Sequence, residues 1–287
     1  MTHSPVDGAH RGAYKGSVPA SARLVLMGAL EFQSSGVTVP LPLSAQRVLA
    51  FMGLRRGPLS RLYVAGQLWL DSTEERASAC LRSALWRLNR AAGEVVSATG
   101  RGLELAPGVE VDLDGADAAF GEVLGGAGPV CPEVVAELCG SRDVLPDWYE
   151  EWAEPERERF RQVRLHALER LCERLTAEGR FAEALEAGLA ALRADPLRES
   201  AHRAMIGMHL AEGNVGEAVR QYDSCRRLMT SQLGVPPSDR LERLIEDGVR
   251  VRRGSAGAKR RHRVARGAKA RRAALRARRR GRPPVRG

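Results

Sequence analysis

Hydrophobic positions recur at helical spacing most clearly over residues 72–93. Ala77, Leu81, Ala84, Leu85 and Leu88 share one face, the i, i+3, i+4, i+7 pattern of a stripe turned toward a core. The pattern predicts a helix opened by a capping box, with Ser72 accepting from a backbone N–H and Glu75 reaching back. Gly93 suits the left-handed position that closes it. The opposite face carries Arg76, Arg82, Ser83, Trp86, Arg87 and Arg90, and no acid stands between Glu75 and Glu94. A solvated helix usually mixes signs on its outer face. A face that excludes acids for this long suits an anionic partner, and we read it as a DNA recognition helix. A merely solvated helix is the competing reading.

Upstream, short alternating runs at residues 23–27, 30–33 and 37–41, with a turn at Ser34-Ser35-Gly36, predict a small antiparallel sheet. Ser44 is placed to cap a helix with Ala45, Val48, Leu49 and Met52 inward, stopped by Gly57-Pro58. Ser60 is placed to cap a second, with Leu62, Ala65, Leu68 and Trp69 inward. After Gly93 the period falls to two. Residues 94–97 and 103–105 read as strands joined by a tip of Ala98-Thr99-Gly100-Arg101-Gly102, with Val109–Val111 pairing alongside. Sheet, three helices and hairpin make a winged helix-turn-helix. Thr99 and Arg101 on the wing are within reach of phosphate or a minor groove.

The second half is helical. Pro155 fits the first position of a helix whose stripe is Phe160, Val163, Ala167, Leu168, Leu171 and Leu175. Gly179-Arg180-Phe181-Ala182-Glu183-Ala184 and Gly213-Asn214-Val215-Gly216-Glu217-Ala218 then align at a separation of 34 residues. That period, with small residues where helices cross, is a tetratricopeptide signature. Leu233-Gly234-Val235-Pro236-Pro237 breaks the chain before a last helix over residues 238–251, with Leu241, Leu244 and Ile245 inward. The expected fold is mainly α with small β: a disordered N-terminus (1–21), a winged helix domain (22–113), a linker (114–145), a tetratricopeptide-like superhelix (146–251) and a basic disordered tail (252–287). Trp148, Tyr149 and Trp152 read either as a binding patch or as anchors at the domain junction.

Charge sharpens this division. The chain carries +10 overall, yet residues 251–287 hold 16 Lys/Arg and no acid, which leaves residues 1–250 at −6. A basic arm on a mildly acidic body suits a polyanion. The tail has too few apolar residues for an interfacial helix, so no membrane partner is expected. Arg260, Arg261 and Arg263 sit in one solvated charge run. Arg280-Gly281-Arg282-Pro283 is similar to an AT-hook core, or is a chance match in a tail rich in these residues. Five cysteines without a C-x-x-C read as reduced thiols, and Cys80, Cys172 and Cys225 as small buried hydrophobes. With no signal sequence and no span of about 20 apolar residues, a cytoplasmic location is expected. No P-loop, dinucleotide fingerprint or H-E-x-x-H occurs. His166, His202 and His209 are not spaced as a ligand pair. No enzyme activity, cofactor or metal is expected.

Leu81-Arg82-Ser83-Ala84-Leu85-Trp86-Arg87-Leu88 and Ala98-Thr99-Gly100-Arg101 resemble the OmpR-like winged helix of the Streptomyces antibiotic regulatory protein family. Leu145-Pro146-Asp147-Trp148-Tyr149, Pro196-Leu197-Arg198-Glu199-Ser200-Ala201-His202-Arg203 and Leu233-Gly234-Val235-Pro236-Pro237-Ser238 resemble its bacterial transcriptional activator domain. Residues 120–145 are richer in glycine than the helical connector of that family. The resemblance implies a sequence-specific transcriptional activator of a secondary-metabolite gene cluster. It would bind direct repeats in promoter double-stranded DNA head-to-tail and contact RNA polymerase. The alternatives are a tetratricopeptide adaptor whose tail binds nucleic acid non-specifically, and a nucleoid-compacting protein without operator preference.

Overall fold

The computed structural model describes residues 21–99, 102–126 and 128–250. They divide into two compact units, up to Ala167 and from Leu168 onward.

The first unit begins with β1 (Ala22–Val25), β2 (Glu31–Ser34) and β3 (Val37–Thr38). Helices α1 (Leu43–Arg55), α2 (Arg61–Leu68) and α3 (Glu74–Ala92) follow, then the hairpin β4 (Val96–Thr99) and β5 (Gly102–Leu105). Strand β6 (Val109–Val111) leads into α4 (Asp112–Gly125) and α5 (Pro132–Gly140). This is a winged helix-turn-helix with an N-terminal sheet. Leu24, Leu26, Phe32, Leu49, Phe51, Leu68, Leu81, Leu88 and Leu103 are fully buried in it. Helix α1 lies so close to the sheet that a Cβ on Gly53 would stand 2.8 Å from Leu24 and 2.9 Å from Leu26.

Several local expectations are corrected. Helix α1 is entered from Pro42 in extended conformation, which places Ser44 inside the helix rather than at its cap. Ser72 does not cap α3: its N–H is tied to the Trp69 carbonyl at 3.1 Å. The cap falls on Thr73, whose side chain makes no capping bond. Ser60 does cap α2, accepting from the Tyr63 N–H at 3.1 Å. Leu62 is more than half exposed, and Val64 takes the inward position instead. Strand β6 does not join the wing. It pairs in parallel with β1, so the sheet runs β3-β2-β1-β6 and is mixed rather than antiparallel. The Asp112 carboxylate explains the detour. Buried just past β6, it accepts the N–H of Leu26 at 2.9 and 3.0 Å and that of Met27 at 2.8 Å.

Residues 114–145, read as a linker, hold most of α4 and all of α5. Ala116, Ala119, Phe120 and Val123 are buried along α4, and Phe120 packs on Phe160 with centroids 5.2 Å apart. Of the aromatic cluster, Trp152 is buried edge-on against Phe51 at 5.2 Å, and Trp148 meets Trp152 edge-to-face at 6.1 Å. These two are anchors. Tyr149 is 94% exposed. Arg47 on α1 fastens the same stretch through Glu150 at 2.8 Å while its guanidinium lies over Trp69.

The second unit takes the C-terminal part of α6 (Glu154–Ala177), then α7 (Phe181–Ala194), α8 (Glu199–Glu212) and α9 (Val215–Leu233). A last helix, α10, covers residues 239–250. Helices α7 and α9 start 34 residues apart, each shortly after a glycine at positive φ, Gly179 and Gly213. Gly188 lets α7 and α8 close together, since a Cβ there would stand 2.1 Å from the Met205 sulfur. Ile206, Ala218, Cys225, Leu241 and Ile245 form the core of the following layer. Cys172 and Cys225 are buried as expected, whereas Cys80 is only half-buried. Among the described residues no group of His, Cys, Asp and Glu could hold a metal ion. None of their helices is long and apolar enough to cross a membrane.

Candidate nucleic-acid interface

The buried stripe of α3, Ala77, Leu81, Ala84 and Leu88, fixes which way the helix faces. Helix α2 packs beside it across a short turn, giving the helix-turn-helix pair. With the apolar side held, Arg76, Arg82, Ser83, Trp86, Arg87 and Arg90 are all exposed. Trp86 is 61% exposed, an unusual position for so large an apolar surface. Its ring is held by Arg90, whose guanidinium carbon stands 5.4 Å from the ring centroid. Arg87 donates to the Ser44 hydroxyl over 3.4 Å, a long bond that a stronger acceptor would displace. None of Arg76, Arg82, Arg87 and Arg90 is engaged by a carboxylate among the described residues. Glu74 and Glu75 stand in the first turn, where the helix dipole favours them, so the rest of the surface stays cationic.

The wing is fastened to the same scaffold. Leu59 and Leu103 exchange backbone hydrogen bonds of 2.8 Å each way, tying the start of β5 to the α1–α2 connection. Gly102 makes the closeness possible: its φ is +137°, and a Cβ would stand 2.2 Å from the Leu59 carbonyl oxygen. Thr99, exposed at the end of β4, pairs with Gly102 across the hairpin. The tip residue Arg101 lies outside the described residues, as do Arg260, Arg261, Arg263, Arg280 and Arg282 of the tail.

Between wing and helix runs a groove of about 330 Å³ lined by Arg61, Arg82, Trp86, Asn89, Ser97 and Ala98, among others. Arg61 and Asn89 are additions to the residues picked from sequence. Asn89 is exposed on α3 one turn beyond Trp86, so the helical spacing that selected Arg82 and Trp86 could have found it. Arg61 could not be found that way. It opens α2, and only the fold of the wing brings it beside Arg82. The outcome is an exposed cationic helix face beside the β4–β5 hairpin, with Arg61, Arg82, Trp86 and Asn89 lining the groove between them. Such a surface can place guanidinium and amide groups against base edges while flanking groups meet phosphate.

Residues 128–250 match the family described as bacterial transcriptional activator domain. The chain is also similar to the regulatory protein AfsR of Streptomyces coelicolor, 30% identical over 247 residues. Both matches fall on regulators like those of the Streptomyces antibiotic regulatory protein family, which this chain resembles in sequence. The match with AfsR takes in 77% of this chain but 24% of AfsR, so the chain spans about a quarter of that relative's length. A solved structure of Mycobacterium tuberculosis EmbR, in complex with a low affinity phosphopeptide, superposes with a TM-score of 0.60. It is 21% identical and covers 80% of this chain and 65% of EmbR, which supports the shared fold of winged helix followed by helical domain.

Proposed function

We propose that the protein is a sequence-specific, cytoplasmic transcriptional activator that reads promoter DNA with α3 and braces on the backbone with the wing. The observation that carries the reading is the outward face of α3, cationic and, among the described residues, free of carboxylate partners beside the β4–β5 hairpin. Arg82 and Arg87 are assigned to base edges, where Arg pairs bidentately with guanine. Trp86 supplies apolar contact, and Arg76, Ser83, Arg90, Thr99 and Arg101 hold phosphate. Resemblance to the family adds the rest: direct repeats occupied head-to-tail, contact with RNA polymerase through the helical half, and a secondary-metabolite gene cluster as target. No catalytic role is proposed.

Genome-wide mapping of bound sites tests the reading, and it should return a short repeated element at fixed spacing. On that element Arg87→Ala should cost about 1–3 kcal/mol of discrimination against random duplex, with an unchanged melting profile. Equal discrimination by wild type and Arg87→Ala would reject the assignment of α3.

A further inference from the structure

Two glycines inside helices of the helical unit have an evident packing reason. A Cβ on Gly188 would meet the Met205 sulfur at 2.1 Å, and one on Gly248 would meet Leu210 at 2.5 Å. Gly207, in the middle of α8, differs. A Cβ there meets nothing within 4 Å, although glycine inside a helix weakens it. The vacant space is a groove of about 460 Å³. Ala204, Gly207, Met208 and Leu244 give it an apolar floor, and Arg203 and Arg240 stand at its sides. Glu173, the one acid of the lining, is already joined to Arg170 on its own helix at 3.3 Å. Several other arginines of the unit are committed: Arg180 to Glu183, Arg198 to Glu169, Arg220 to Glu217 and Arg226 to Asp223. Arg203 and Arg240 have no such partner among the described residues. The groove therefore joins an apolar floor to unspent positive charge.

We propose that this groove docks a segment of a partner polypeptide whose apolar side chains are flanked by carboxylates. The inference rests on the reading of the helical half as the protein-contacting module. A volume of this size lies in the range of about 300–1,000 Å³ typical of binding clefts. The glycine lets an apolar anchor come against the α8 backbone, as in recognition of amphipathic segments. Guanidinium groups on either side match carboxylates in charge and in fork geometry. The chain's own residues 251–287, with 16 Lys/Arg and no acid, have the wrong sign for the site.

The test uses the full chain and a short fluorescent peptide of Leu, Ala, Asp and Glu, read by anisotropy. One control peptide replaces Leu by Ser, and a second replaces the acids by Lys. The acidic leucine peptide should bind, and each control should bind at least about ten-fold more weakly, a difference of roughly 1.4 kcal/mol. Gly207→Leu should weaken the acidic peptide by a similar factor while circular dichroism and operator binding stay unchanged. Gly207→Ala, adding a single methyl to open space, is the milder variant should the larger one disturb folding. Arg203→Glu with Arg240→Glu should exchange preference toward the Lys peptide. Equal binding of the Ser peptide, with no effect of either Gly207 variant, would assign capture to the basic tail and overturn the proposal. A shift in oligomeric state on Gly207→Leu would make a second copy the occupant and overturn it as well. Intact operator discrimination alongside any such failure leaves the DNA reading standing, so the two fail separately.

Discussion

Gly102 shows how much one missing side chain can hold. At φ +137° any L side chain is strained, and a methyl group there would stand 2.2 Å from backbone oxygen, which cannot swing aside. Gly102→Ala must therefore break the Leu59–Leu103 exchange and free the wing. We expect a loss of about 1–3 kcal/mol in thermal stability and weaker operator binding, measured by melting and anisotropy. Undisturbed binding would mean that the wing is not used. His202 gives a residue-scale prediction of another kind. It is buried, its Nε2–H donates to the Pro196 carbonyl at 2.9 Å, and Nδ1 accepts from the Gln221 amide at 2.8 Å. Burial pushes its pKa below the ordinary value near 6.5, against smaller opposing effects of the Pro196 bond and Glu199. The unfolded chain then protonates first as pH falls below about 6.5. Stability from this group is complete above that pH and declines below it, toward the lowered folded value. Urea midpoints at about pH 7.5 and pH 5.5 should differ more for wild type than for His202→Gln. The Glu158 carboxyl, held down to about 2 by Arg161 and Gln162, titrates too low to intrude.

At the scale of elements, α3 and the helical repeats were legible because their information is periodic and local. Ala77, Leu81, Ala84 and Leu88 repeat down one face and are buried together; Phe181 and Val215 start helices at the spacing that the aligned glycines imply. Elements defined by distant partners were not legible. Nothing near Val109–Val111 says that β1, far back in the chain, is its neighbour, and a hairpin just upstream is the nearer choice. Helix α4 escaped because Gly115, Gly121 and Gly125 mark loops by propensity, and they mask the stripe of Leu113, Ala116, Phe120 and Val123 that the helix buries. Ser44 and Ser72 misled in the same way: both are good cap residues, but Pro42 and the turn at Trp69 decide where the helices open. The interface divides along these lines too, with the arginines of α3 readable from period and Arg61 only from the fold. The junction at Asp112 can be tested as an element. Asp112→Ala leaves the N–H groups of Leu26 and Met27 buried or half-buried without their acceptor, at about 1–3 kcal/mol for each. We expect a lower urea midpoint, with Asp112→Asn in between because one oxygen still accepts. A midpoint unchanged in Asp112→Ala would show that water replaces the carboxylate and that β6 is held by its ladder alone.

For the molecule as a whole, charge distribution matters more than net charge. The +10 of the chain combines a body at −6 with a tail of 16 cations, so attraction to a polyanion is concentrated in residues 251–287 and in the single cationic face of α3. The two act differently. Contacts to base edges depend on sequence and only weakly on salt, whereas phosphate neutralisation is independent of sequence and releases counterions. Removing residues 252–287 should therefore lower affinity for operator and random duplex by the same factor and leave their ratio intact. The slope of log K against log salt should flatten by about 0.9 for each phosphate that the tail neutralised. Titrations over a series of salt concentrations, on both duplexes, supply all four quantities. An adaptor that reaches nucleic acid through its tail alone would instead lose binding to both duplexes together. A compacting protein would show a ratio near unity before any residue was removed. Only a specific reader keeps a large ratio after truncation, because α3, rather than the tail, generates it.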